Sequence, residues 1–511
     1  MTVISSAILL KYDINPMSVY WPAVDQFAYF TNVAQHEDKL FAVFQGESLN
    51  SYAVKFDGKA WSKAVKVGDS PFPPILQDGH GAPSIVRSVD GILHVIYGMH
   101  DGQSAVNYKV SAYPDDISSW VNVRERFTSS GNLLNGTYPA LFLDPKTGML
   151  WLFIRDYTPP NDNARWLYLT SGNNGVTWGN EFVWYDALST AQILYLAQMG
   201  QFVNKEGDDY YINLSGNMYS ASVGKRVNYY FLRFNMSNKH FYNISGTDLG
   251  LTMSNASFEY AKVLDTNYKG CYWGQVLLST AGTLSVINYE YDSSSGLYKF
   301  FSKEWNGSAW TNSVDICTSS RWQAIQGAVF QAGTNTIALL EPKDEDKKIT
   351  QWKYDWSAHT WSQLGDYIDS TSLDNQSDTW RGPILASTET PIWCFQSVAP
   401  SRVQRLQVNV GAVDVNGNVV TVTEGTNLSA DRGINVNQQW ANVIVGRDRQ
   451  NYYALDCESG KTLRIGTYNE VTSSAVISLP RGYGIIIDKS GPINSSPSIR
   501  RYADGNLVSA S

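Results

Sequence analysis

Histidine, cysteine and charge are all scarce in this chain. Its 511 residues include six His and four Cys, and Asp, Glu, Lys and Arg together make up 17%. Each shortage excludes something. Cys271, Cys317, Cys394 and Cys457 show no Cys-x-x-Cys spacing, which argues against a zinc cluster and leaves two disulfides or four buried thiols. A net charge of −8 argues against a nucleic-acid partner, and any acidic ligand must be met by a local basic site. No apolar run is long enough to span a membrane as a helix. The opening MTVISSAILLKYD has only a short apolar run at Ala7–Leu10 and no basic stretch before it, so it reads poorly as a secretory leader. Nine Asn-x-Ser/Thr sequons give weak support for secretion.

Helical periodicity is nearly absent. In its place stand short apolar or alternating runs punctuated by Gly, Asn, Asp and Ser. A turn followed by a strongly apolar strand recurs at DKLFAVFQG (Asp38), DGILHVIYG (Asp90), TGMLWLFIRD (Thr147), GDDYYINLSG (Gly207), GTLSVINYE (Gly282), TNTIALLEP (Thr334) and TPIWCFQS (Thr390). The starts are 52, 57, 60, 75, 52 and 56 residues apart, the period of a four-stranded propeller blade. A second rhyme is a Trp-ended turn: FDGKAWS from Phe56, NNGVTW from Asn173, WNGSAWT from Trp305 and DWSAHTWS from Asp355. SGNNGVTW, from Ser171, is similar to the Asp-box of sialidase-like propellers with Asn for Asp, a structural turn whose polar groups are used locally. The expectation is an all-β chain, a seven-bladed β-propeller over residues 1–400. Residues 401–511 form a further β-rich segment that closes the ring, adds an eighth blade or makes an accessory β domain.

Three of the six histidines fall in GHGAPSIVRSVDGILHVIYGMHDG, residues 79–102. His80 precedes one strand and His100 follows the next. In the following repeat, GTYPALFLDPKTGMLWLFIRDYT, the matching positions hold Tyr138 and Arg155. In a propeller such strand ends meet at one central mouth. Two imidazoles, a phenol and a guanidinium suit β-elimination from a uronic acid. A cation neutralises the carboxylate and so makes the C5 proton removable; one group takes that proton and another protonates the departing O4. A Tyr base in that scheme needs its pKa lowered by the neighbouring cations. His94, inside ILHVIY, reads instead as a packed residue.

The same stretch, continued by TYPALFLDPKTGMLWLFIRD, resembles the propeller-type polysaccharide lyases, the group of ulvan lyases and L-rhamnose-α-1,4-D-glucuronate lyases. The resemblance rests on the His pair with 19 residues between its members, the Tyr-Pro opening the next blade and the Arg in the strand after it. It implies a seven-bladed fold, His80, His100, Tyr138 and Arg155 as the active-site set, and a bond between rhamnose and O4 of glucuronate as the target. A sparse supply of Lys and Arg for sulfate favours a terminal rhamnose on glucuronate, as in gum arabic, over ulvan.

Arg226 is a candidate second cation. Trp273, Trp322, Trp380 and the adjoining Arg381 are candidate sugar contacts, with Trp packing between blades as the alternative; Asn217 and Gln275 are weaker ones. No cofactor is required for catalysis, no metal site is marked, and the Asp-rich turns leave room for a structural Ca²⁺. The partner is an acidic polysaccharide, met by a secreted monomer. Two other functions fit the composition: a non-catalytic carbohydrate-binding propeller, and a sialidase-like glycoside hydrolase, which the paucity of Arg disfavours.

Overall fold

A computed structural model gives the architecture. It describes residues 33–37, 39–45, 50–56, 62, 65–69, 83–98, 106–124, 128–129, 132–133, 136–156, 165–187, 192–267 and 269–278. It also describes 284–319, 328–332, 335–340 and 348–369, and it gives only the backbone of the strand at 10–14, of strands from 379 onward and of stretches within other strands, 272–278 and 328–332 among them.

The alternating runs become strands that pair antiparallel with their chain neighbours. The first sheet holds Val33–His36, Lys39–Gln45, Ser51–Phe56 and Val65–Gly68; the second holds Ser84–Arg87, Leu93–Tyr97, Asn107–Ser111 and Trp120–Asn122. The third runs Gly136–Leu143, Leu150–Asp156, Arg165–Ser171, Phe182–Asp186. The fourth is built on Gln192–Glu206, Asp209–Ser220 and Lys225–Asn235. The fifth holds Cys271–Leu278, Leu284–Asp292, Leu297–Glu304 and Val314–Ser319, and the sixth Ala328–Ala332, Asn335–Leu340, Lys348–Asp355 and Thr360–Asp369. A seventh joins Thr379–Ser387, Ile392–Val398 and Gln404–Val410 to Leu10–Ile14, with Leu10 opposite Val408 and Ile14 opposite Gln404. Two more four-stranded sheets follow, over 435–467 and 474–510.

The long fourth interval has a structural cause. The fourth sheet is extended by the ribbon Phe241–Tyr242 with Asp248–Gly250 and by the strand Lys262–Leu264, which pairs back onto Lys225–Asn235, with the one-turn helix Asn255–Phe258 between them. Ser254 caps that helix by accepting from the Ser257 N–H, and it is the only α-helix among the described residues. No helix there is long and apolar enough to cross a membrane.

First strands lie side by side. Ser84–Arg87 packs between Val33–His36 and Gly136–Leu143, and Cys271–Leu278 between Gln192–Glu206 and Ala328–Ala332. The third sheet shows what the two-residue period does there. Trp151 and Phe153 point to one face, where they join Trp166, Trp184, Leu214 and Phe234 against the fourth sheet. Leu150, Leu152 and Ile154 point to the other, against Val86, Ile96 and Tyr108 of the second. LWLFIRD is therefore buried along its whole length, each large side chain contributing about 1.5–3 kcal/mol.

Candidate active site

Arg155 falls on the same face as Trp151 and Phe153, so the strand that builds the core also aims this guanidinium at the fourth sheet. It is buried, at 2% exposure. Tyr138 comes to the same place by another route. Thr137 pairs with Arg155 and Ala140 with Phe153, so Tyr138 and Pro139 stand opposite Ile154 alone, in a β-bulge. Tyr138 adopts φ +56°, a left-handed conformation that costs a bulky residue about 1–2 kcal/mol. Gly136 allows the close approach at the start of the strand, since a Cβ there would lie 2.7 Å from the Arg155 carbonyl oxygen.

The aromatic rings fix the cations. The Arg155 guanidinium carbon is 5.6 Å from the Tyr138 ring centroid and 4.5 Å from that of Tyr195. Arg226 lies over the same Tyr195 ring at 4.1 Å. Tyr138 stacks on Trp166 (6.4 Å, 18°), and the Trp166 indole N–H donates to the Leu194 carbonyl at 3.1 Å, next to Tyr195 in sequence. Tyr138, Arg155, Tyr195 and Arg226 thus alternate phenol and guanidinium across the seam between the third and fourth sheets. Tyr185 backs this group; burial pushes its phenol well above the ordinary range, against an opposing pull from Arg155, and its hydroxyl donates to Asn255 Oδ1 at 2.7 Å. Such a cluster can hold a carboxylate by charge-assisted hydrogen bonds beside groups able to move a proton.

The structure therefore brings Tyr138, Arg155 and Arg226 together. His80, His100 and Trp322 lie outside the described residues. Trp273 and Gln275 sit on Cys271–Leu278, and Trp380 and Arg381 on Thr379–Ser387, with only their backbones described. His94 is fully buried, with Nδ1 2.7 Å from the Tyr108 hydroxyl and Nε2 3.2 Å from the Ser88 hydroxyl, as a packed residue should be. Cys271 and Cys317 are free thiols. Among the described residues no group of three or more His, Cys, Asp and Glu could hold a metal ion.

Tyr195 was not among the sequence candidates. A signal for it exists: the first strands of the third, fourth, fifth and seventh sheets each carry an early aromatic, at Tyr138, Tyr195, Trp273 and Trp380. The pairing of each strand also breaks close by, at Thr137/Ala140, Leu196/Gln198, Tyr272/Gly274 and Arg381/Ile384.

Comparison with known proteins places the fold. Residues 36–315, more than half of the chain, match the BNR repeat-containing family. The chain belongs to that family. Among curated proteins, this family member is 25% identical over 312 residues to an ulvan lyase of Pseudoalteromonas sp. (strain PLSV), covering 55% of the chain and 61% of the relative. It is 25% identical over 245 residues to an ulvan lyase of Alteromonas sp. (strain LOR), covering 42% and 48%. The chain thus spans about half the length of these relatives. Among solved structures, a PL25 ulvan lyase bound to -[GlcA(1-4)Rha3S]- superposes with a TM-score of 0.61 at 16% identity, over 79% of this chain and 96% of that one. The polysaccharide lyase Uly1 gives 0.53 at 10% identity, over 78% and 99%. The BNR-family chain therefore has a propeller-like all-β fold, and the resemblance to propeller-type polysaccharide lyases holds in both sequence and fold.

Proposed function

We propose that this protein is a polysaccharide lyase that cleaves a rhamnose–glucuronate linkage by β-elimination. The observation that carries the reading is the buried Arg155 guanidinium, set against the rings of Tyr138 and Tyr195, with Arg226 over the same Tyr195 ring. The architecture we assign is a ring of seven blades, in which Leu10–Ile14 completes the seventh by pairing with Gln404–Val410.

The reaction needs a cation before it needs a base. A uronate carboxylate already bears a charge, so withdrawing the C5 proton next to it puts a second negative charge on the same group. Arg155, with one histidine, neutralises the carboxylate and lowers that barrier. Tyr138 and the other histidine act as base and acid: the C5–H bond breaks, C4=C5 forms, the C4–O4 bond breaks and O4 takes a proton. We assign His100 to the proton transfer and His80 to orienting the carboxylate. Trp273, Trp322, Trp380 and Arg381 extend the sugar-binding surface. The enzyme works as a secreted monomer without a cofactor.

Two substrates follow from this reading. The relatives are named for ulvan, and Arg226 beside Arg155 supplies a second cation suited to a sulfated sugar; gum arabic offers terminal rhamnose on glucuronate without sulfate. Incubating the protein with each separately and following the ultraviolet absorbance of the unsaturated product decides between them. Absorbance rising with either one supports elimination. Tight binding with no rise on either would make the protein a lectin and end the proposal.

A further inference from the structure

The Asp209–Ser220 strand carries a second irregularity that bears on Arg226. Its ladder with Lys225–Asn235 pairs Gly216 with Tyr230 and Met218 with Val227, so Asn217 alone faces Asn228 and Tyr229. Asn228 sits at φ +58°, a left-handed conformation, and its carbonyl is held by side chains. Asn217 Nδ2 donates to that oxygen at 2.7 Å and to Cys271 Sγ at 3.0 Å, while the Cys271 thiol donates to the same carbonyl at 3.1 Å. The Asn228 N–H donates to Thr266 Oγ1 at 3.1 Å, and its Oδ1 accepts from the Thr266 N–H at 3.0 Å. Asn217 and Cys271 are fully buried.

The placement matters because Arg226 is two residues before Asn228, and because Asn217 is the ladder partner of Tyr195 on its other side. One residue of the middle strand therefore registers both halves of the Arg226–Tyr195 contact. Cys271 opens the first strand of the fifth sheet, so the same carbonyl also ties the fourth sheet to the fifth.

We propose that Asn217 and Cys271 are positioning residues which, by clamping the Asn228 carbonyl, hold Arg226 over Tyr195 and so set the site's second cation. The inference rests on the lyase reading only for its kinetic consequence. Burial keeps Cys271 protonated at every ordinary pH, which is the form that can donate. A free thiolate, or an alanine, leaves the carbonyl to Asn217 alone.

The test uses N217A, C271A, C271S, R226A and the double variant N217A/R226A of the full chain. With a polysaccharide that the wild type cleaves, N217A and C271A should raise KM about three- to tenfold, with kcat changed by less than about twofold. C271S retains a donor and should restore most of the loss. In the R226A background N217A should change KM no further, because its effect runs through Arg226. Unchanged KM in both single variants, or an equal effect of N217A with and without Arg226, overturns the clamp. C271A, the milder change, carries the test if N217A does not fold. Crystal structures of C271A and N217A give a readout independent of turnover: Arg226 should leave the Tyr195 ring, and an unmoved Arg226 refutes the proposal. A wild type with no lyase activity whose variants still release Arg226 would count against the function alone.

Discussion

Arg155 of the third sheet reaches Tyr195 of the fourth, its guanidinium carbon 4.5 Å from the ring centroid. The contact crosses between separate sheets, so it depends on how they stack as much as on either sequence. Its consequence is electrostatic. An aromatic ring presents a negative face to cations, and Arg226 lies over the same Tyr195 ring at 4.1 Å. Two like charges that would repel are both held against one partly compensating quadrupole. An acidic protein thereby keeps a local concentration of positive charge.

If Tyr195 acts through its ring, its hydroxyl should be dispensable. Tyr195→Phe should keep kcat/KM within about twofold of wild type, whereas Tyr195→Ala should lower it about tenfold or more, the scale of two lost cation–π contacts. Steady-state kinetics on the cleaved polysaccharide decides this. A Phe variant as impaired as the Ala variant would move the role to the hydroxyl.

Tyr138 should behave in the opposite way. Its ring stacks on Trp166, and Phe preserves that contact, so Tyr138→Phe should melt close to wild type. Without the hydroxyl, kcat should fall about a hundredfold or more, the usual scale for a lost acid or base. Turnover surviving in a well-folded Phe variant would remove Tyr138 from the proton-transfer step.

How much of this was legible in advance depended on the distance each residue's position had to be projected. Arg155 was readable because LWLFIRD alternates without a break, and Arg155 follows Trp151 and Phe153 by even steps. Tyr138 was readable from its Tyr-Pro opening, although the bulge that turns it was not. The interval of 75 residues passed as one more blade period, and the extra elements at 241–264 that lengthen it showed only in the structure. Tyr195 stayed hidden because the 15-residue strand Gln192–Glu206 breaks register with its partner at Leu196/Gln198 and again at Met199/Val203. Period counting fails across such breaks, and contact between sheets has no local signature at all. The expected His80 and His100 pair lies outside the described residues and stays a proposal.

The second sheet offers a pH test. Arg87 Nε donates to Asp115 Oδ1 at 2.6 Å and Nη2 to Oδ2 at 3.2 Å, and Lys55 of the first sheet donates to the Asp115 carbonyl at 2.8 Å. Hydrogen bonding to Arg87 is the largest influence and holds the Asp115 carboxyl below its usual range. A depressed folded-state pKa means that the stabilisation is complete above the unfolded value, about 3.9, and is lost as pH falls through the folded one. Asp115→Asn tolerates the same left-handed φ of 55° and should cost about 0.5–1 kcal/mol at pH 7. Urea midpoints of wild type and variant should draw progressively together as the pH falls below about 4. A gap that keeps its full pH 7 size as the pH is lowered through the carboxylate range would assign the loss to something other than the ion pair.

The Trp-ended turn of the third sheet gives a test that separates structure from chemistry. Within SGNNGVTW the Ser171 hydroxyl accepts from the Gly175 N–H at 2.9 Å, and Asn173 Oδ1 accepts from the Thr177 N–H at 2.9 Å. Outward, Asn174 Nδ2 donates to Asp90 Oδ2 of the second sheet at 3.1 Å, so the turn also ties neighbouring sheets together. Gly175 sits at the join, with φ +71°, and an added Cβ would come within 2.4 Å of the Tyr108 hydroxyl and 2.7 Å of His94 Cε1. Gly207 has a similar φ of +61° but open space around it. The backbone penalty of an alanine is therefore common to both, about 1–2 kcal/mol. Gly175→Ala should lose about a further 1–3 kcal/mol from overpacking against buried rings that cannot swing away. Chemical-denaturation midpoints measure the difference, and kcat below the melting transition should match wild type in both variants. Equal destabilisation would show that the turn does not press on His94 and Tyr108; lost turnover at unchanged stability would assign it to the site instead.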